Sequence, residues 1–162
     1  MILQAFTLAH VILSLIGIGA GLIVVAGFLA EKELPGWNSW FLWTTILTSV
    51  TGYFFPFHGF KPSYVIGALS LLLLAPAYYA WHSRRLAGGW RLTYVITAML
   101  ALYLNVFVLI FQLFDKVPAL KALAPTKSEQ PFKLTNLVVL VIFFLLTIFS
   151  AIRFRATAPR TA

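Results

Sequence analysis

The segment WRLTYVITAMLALYLNVFVLIFQLFDK, residues Trp90–Lys116, carries no charge between Arg91 and Asp115. Those 23 residues, wound as an α-helix at 1.5 Å per residue, reach roughly 34 Å. That is enough to cross a hydrocarbon core of about 30 Å. Two strongly polar side chains interrupt the apolar run, Asn105 and Gln112. They are two helical turns apart and are expected to share a face. An amide in hydrocarbon without a partner costs several kcal/mol, so that face is predicted to point into protein. The expected partners are the threonines of the second apolar segment, or Ser63 and Ser70 of the third.

The remainder of the chain repeats this character. Of 162 residues, 61% are hydrophobic and 10% charged, and the mean hydropathy is +0.94. A soluble domain is nearer half apolar and a quarter charged. The composition predicts an all-α integral membrane protein, a single domain of five transmembrane helices. The spans are expected at about residues 3–29, 37–57, 62–82, 91–114 and 134–152, with one short interfacial helix in the connection between the fourth and fifth.

The first segment has no basic N-terminal region, and its apolar run exceeds that of a signal peptide, so it reads as an uncleaved helix. His10, Ser14, Gly17 and Gly21 lie on one of its faces. The two glycines form a small-xxx-small pair that lets another helix approach. Trp37, Trp40 and Trp43 form an aromatic belt at the start of the second segment. Thr44, Thr48, Thr51, Phe55 and His58 make one stripe along it. Hydroxyls in membrane helices often bond back to their own carbonyls, so such a stripe also has a purely structural reading. Pro56 and Gly59 are predicted to end this helix. Pro62 suits the first turn of the third segment, while Pro76 should bend that helix or weaken one turn. After the fourth span, Val117, Leu120 and Leu123 form an apolar stripe between Pro118 and Pro125, the expected interfacial helix.

The basic residues orient the bundle. Lys32, Arg84, Arg85, Arg91, Arg153, Arg155 and Arg160 fall on one side, against Lys61, Lys116, Lys121, Lys127 and Lys133 on the other. The positive-inside rule puts the first set in the cytoplasm, with the N-terminus outside and the C-terminus inside. The net charge of +8 is spread between apolar runs rather than gathered in a patch, which fits lipid headgroups and argues against nucleic acid as a partner.

The runs Ala101-Leu-Tyr-Leu-Asn105-Val-Phe-Val and Lys116-Val-Pro-Ala-Leu-Lys-Ala-Leu-Ala-Pro-Thr126-Lys-Ser-Glu-Gln-Pro-Phe132 resemble a group of uncharacterised small bacterial inner-membrane proteins. The resemblance covers roughly residues 51–132. It implies a polytopic helical fold in a bacterial inner membrane, and carries over no functional residue. In size and helix count the chain is also similar to the five-helix tryptophan-rich sensory proteins that bind porphyrins and sterols, although their motifs are not seen in it.

Function is less legible. The four acids, Glu31, Glu33, Asp115 and Glu129, all lie in connections. Membrane proteases and proton-coupled pumps rely on buried acids or metal ligands, so catalysis is not expected. No cysteine is present, which removes disulfides and thiolate metal sites. The leading expectation is a non-catalytic protein that binds a lipid or apolar ligand, or packs against a membrane partner or a second copy. Thr44, Thr48, Thr51, Asn105 and Gln112 would form its polar interior. On this reading no cofactor is needed. The first alternative is a redox protein holding haem b between His10 and His58, against the plain reading in which His10 bonds a neighbouring helix and His58 sits at the interface. The second is a small oligomeric transporter or channel.

Overall fold

The structure is a computed structural model describing residues 2–55 and 62–154. Every regular element among these residues is helical: α1 (Ile2–Leu29), α2 (Pro35–Thr51), α3 (Pro62–Tyr78), α4 (Trp90–Lys116), α5 (Pro118–Leu123) and α6 (Gln130–Arg153). Four helices among the described residues are long and apolar enough to cross a membrane, spanning Leu3–Leu29, Tyr64–Ser83, Trp90–Lys116 and Gln130–Arg153. This is the architecture of an all-helical membrane protein.

The second of the five expected spans differs. α2 has 17 residues and stops at Thr51, short of residue 57, and Gly52–Phe54 tightens into a 3₁₀ turn. The cause is local. Phe55 precedes Pro56, whose ring excludes the helical conformation from its predecessor, and Phe55 is extended at φ −69°, ψ 143°. Proline also shapes the other helices. Pro35 and Pro118 open α2 and α5, where a missing N–H costs nothing. Pro76 lies inside α3, and three residues later the helix loosens into a π-turn over Tyr79–Ser83, closed by Arg84 N donating to the Tyr79 carbonyl at 3.0 Å. The expected weakened turn is therefore present, displaced toward the helix end, and it delivers the chain into a tight reversal with Arg85 and Leu86 at positive φ.

α1 ends in a Schellman motif. Lys32 N donates to the Gly27 carbonyl at 2.8 Å and Glu31 N to the Phe28 carbonyl at 3.2 Å. Glu31 takes the left-handed position at φ 59°, usually a glycine's. The glycine is instead at Gly27, where an added Cβ would stand 2.9 Å from Leu34 Cδ1 and 3.0 Å from the Lys32 carbonyl oxygen.

α4 is the central element, touching α1, α2, α3, α5 and α6. Tyr94, Val95, Ala98, Met99, Ala101, Leu102 and Asn105 are buried along it, with the alanines admitting close neighbours. Its inner partners are Val24, Val25 and Phe28 of α1, Phe41 and Leu42 of α2, Leu74 and Ala77 of α3, and Phe143 of α6. Gly21 is the tightest crossing: a Cβ there would come within 2.6 Å of Leu102 Cδ1 and 2.9 Å of Phe41 Cδ2. α6 is the opposite case. Leu137, Val138, Val141, Phe144, Leu145 and Ile152 stand exposed, as lipid-facing side chains do.

Candidate functional site

The two ends of the bundle are built differently. At the end holding the α1–α2 reversal, Phe28, Tyr94, Trp81 and Phe154 interlock. Tyr94 lies edge-on to Phe28 at 5.8 Å and 5.5 Å from Trp81, and Phe28 is 4.7 Å from Phe154. The fully buried Tyr94 hydroxyl donates to Asn38 Oδ1, whose Nδ2 donates to the Leu34 carbonyl at 2.7 Å. The Tyr94 hydroxyl and the Asn38 amide are thus paired within the cluster, so it reads as a structural lock.

The other end contains two pockets. The smaller, about 90 Å³, lies between α1, α2, α3 and α4 and is lined by His10, Ser14, Thr48, Ser49, Ser70 and Asn105 among others. His10 Nδ1 lies 2.9 Å from Thr51 Oγ1. The Thr51 hydroxyl is itself committed to the Leu47 carbonyl at 2.7 Å, so it receives a bond from His10 rather than giving one. That commitment assigns the proton of a neutral His10 to Nδ1 and leaves a lone pair on Nε2. Four residues along α1, Ser14 Oγ donates to Asn105 Oδ1 at 3.0 Å. Gly17 completes this approach: its Cβ position is 3.0 Å from Thr44 Oγ1, 3.2 Å from Thr45 Oγ1 and 3.5 Å from Asn105 Nδ2.

These positions sort the residues expected to matter. Thr44 and Thr48 are buried and bond back to the Trp40 and Thr44 carbonyls at 2.6 and 2.8 Å, the structural use of a hydroxyl in a membrane helix. Asn105 is buried, but its partner is Ser14 of α1 rather than a threonine of α2 or a serine of α3. Gln112 does not belong to the interior. It is exposed and opens on the larger pocket. His58 lies outside the described residues. At this end His10 is the one imidazole among the described residues, and the pocket beside it, about 90 Å³, is smaller than the cavity of about 150 Å³ that admits a benzene. No group of three or more metal-ligating side chains occurs among the described residues.

The larger pocket, about 570 Å³, opens where α4 meets the α5–α6 connection. Ile66, Phe107, Val108, Phe111 and Phe132 form its apolar wall, and Gln112, Asp115, Lys116, Thr126 and Lys127 its polar rim. Lys127 spans both parts. Its Nζ is 2.8 Å from Asp115 Oδ1 and stands 4.6 Å above the Phe111 ring. Lys116 reaches the other Asp115 oxygen at 3.2 Å. Lys127 holds φ 59°, a left-handed conformation uncommon outside glycine, in the turn after Pro125-Thr126. Beside it Glu129 gathers that turn, accepting from the Thr126 hydroxyl at 2.8 Å and from the Thr126 and Ser128 amides at 3.2 and 3.0 Å. The Thr126 hydroxyl is the main reason its carboxyl titrates below the ordinary glutamate value. α5 anchors the loop through Leu120 and the buried Ala124, which join Ile110, Phe114 and Phe132. Sequence reading passed over Lys127, Asp115 and Phe111 as a site, since they come together only when the connection folds back over α4. The remaining signal was the Pro125-Thr126 turn placing a lysine opposite an acid at the helix end. No family model, curated protein or solved structure matches this chain.

Proposed function

We propose that the protein is a non-catalytic, polytopic membrane protein that binds a lipid in the larger pocket. The observation that carries this reading is the division of the pocket into a phenyl and aliphatic wall and a charged rim at the end of a membrane helix. Its volume of about 570 Å³ falls within the roughly 300–1,000 Å³ of small-molecule sites. An acyl chain suits Phe107, Phe111 and Phe132. A phosphate-bearing headgroup suits Lys116 and Lys127, which share one carboxylate and so leave a net positive rim.

The same reading places five spans in a bacterial inner membrane, N-terminus outside. α2, at about 26 Å, gains about 6 Å from its 3₁₀ turn and so approaches the thickness of the hydrocarbon core. A cytoplasm-only fluorescent reporter fused to Ala162 should then be bright, whereas a dark but inserted fusion would reverse the orientation.

Lipid binding is tested by native mass spectrometry of detergent-extracted protein incubated with short-chain phosphatidylglycerol. Wild type should retain one lipid, Lys127→Ala should retain it at several-fold lower occupancy, and Phe111→Ala should weaken retention as well. Equal occupancy in all three proteins would remove the pocket from consideration.

A further inference from the structure

We infer that the smaller pocket between α1, α2, α3 and α4 is a second site, which binds small, uncharged hydrogen-bond donors, and that its guest is water. Four of the hydroxyls lining it have already committed their protons. Thr48 donates to the Thr44 carbonyl, Ser49 to the Thr45 carbonyl at 2.9 Å, Tyr53 to the Tyr64 carbonyl at 2.7 Å and Ser14 to Asn105. Each hydroxyl has one proton, so these four have only lone pairs left for a guest. His10 has spent Nδ1–H on Thr51, and its Nε2 is a further lone pair. The lining is therefore rich in acceptors. Asn105 Nδ2 is the counterweight, a donor on a side chain 7% exposed that has no partner among the described residues.

Charge and size narrow the guest. No carboxylate borders the pocket among the described residues, so a cation would lie in a low-dielectric setting without a counter-charge. An anion would face lone pairs. A volume of about 90 Å³ corresponds to about three waters at roughly 30 Å³ each, and is too small for a ring. Water has two protons to give to the hydroxyl oxygens and Nε2, and a lone pair for the Asn105 amide or the Ser70 hydroxyl. Gly67 keeps the space open on the α3 side by admitting the Tyr53 ring, whose Cε2 is 3.3 Å from its Cβ position. His10 lies roughly 12 Å along α1, and water at that depth would make its Nε2 a solvated base inside a membrane helix.

The test is nuclear magnetic resonance of the full chain in lipid nanodiscs, labelled with ¹⁵N histidine, with His58 and His82 assigned by substitution. The expected spectrum shows His10 protonated at Nδ1, with an unprotonated Nε2 that exchanges magnetisation with water. Ser70→Leu, which fills the pocket, should abolish the water transfer and leave the Nδ1–H signal in place. Thr51→Val, which removes the acceptor, should abolish the preference for the Nδ1 proton. A proton on Nε2 in the wild type, no water transfer, or water transfer undiminished in a folded Ser70→Leu protein would each overturn the inference. Should Ser70→Leu fail to fold, Gly67→Ala supplies the same test from the same helix, because it presses the Tyr53 ring toward the space.

Discussion

The Tyr94 end and the His10 end of the bundle use the same helices for opposite purposes. Around Tyr94, rings from α1, α4, the α3 extension and the residue after α6 close on one another, and the polar atoms of Tyr94 and Asn38 pair inside the cluster. Around His10 the helices are joined by single hydrogen bonds, His10 to Thr51 and Ser14 to Asn105, with pockets left between them. The difference teaches that close ring packing and open pockets lie at separate ends of one bundle. Ring interlock excludes ligands, while sparse polar bridging leaves room for them and keeps donors and acceptors within their reach.

The largest effect that would break this comparison is ring deletion. Phe28→Ala should destabilise the protein by about 3–5 kcal/mol, as buried phenylalanine truncations do. Phe111→Ala, in a wall that already borders a pocket, should cost less than half of that. Unfolding in mixed detergent micelles measures both. A Phe111 variant as unstable as the Phe28 variant would show that the pocket end bears equal structural weight.

Hydrogen-bond deletion gives a smaller contrast. Tyr94→Phe leaves Asn38 Oδ1 buried without its donor, at a cost of about 1–3 kcal/mol. Ser14→Ala removes an interhelical bond worth about 0.6 kcal/mol in membranes. The same unfolding measurement should rank Tyr94→Phe as the more damaging change, and the reverse order would collapse the distinction between lock and bridge.

The smallest effect is confined to the turn beside the larger pocket. The folded turn lowers the Glu129 carboxyl below its usual value, so its contribution is present above the unfolded value and fades as pH falls through the folded one. Hydrogen exchange at the Thr126 and Ser128 amides should accelerate, relative to intrinsic rates, only under distinctly acidic conditions. Glu129→Gln should show the faster exchange at every pH. Amides insensitive to both changes would mean that the loop is held by the Lys127–Asp115 pair alone.

The legible parts of the fold were those with local causes. A charge-free run longer than the membrane is thick makes α4 a spanning helix. Pro56 stops α2, Pro118 starts α5 and Pro76 disturbs α3, because a ring without an N–H acts on its own turn wherever it is placed. The site was less legible. The seven-residue spacing puts Asn105 and Gln112 on one helix face, yet burial depends on what covers that face, and Asn105 is buried while Gln112 is exposed.

The amino-acid sequence by itself determined an all-helical membrane protein, the positions where proline breaks or starts a helix, and the small residues where helices cross. Composition and backbone covalent geometry act over a few residues and need no partner. Only the tertiary structure decided that Ser14 donates to Asn105, that His10 and Thr51 share a hydrogen bond, and that Lys127 bridges Asp115 and Phe111. Each of these is a meeting of side chains from different segments, 91 residues apart for Ser14 and Asn105, and a hydrogen bond carries direction and distance that spacing along one helix does not encode.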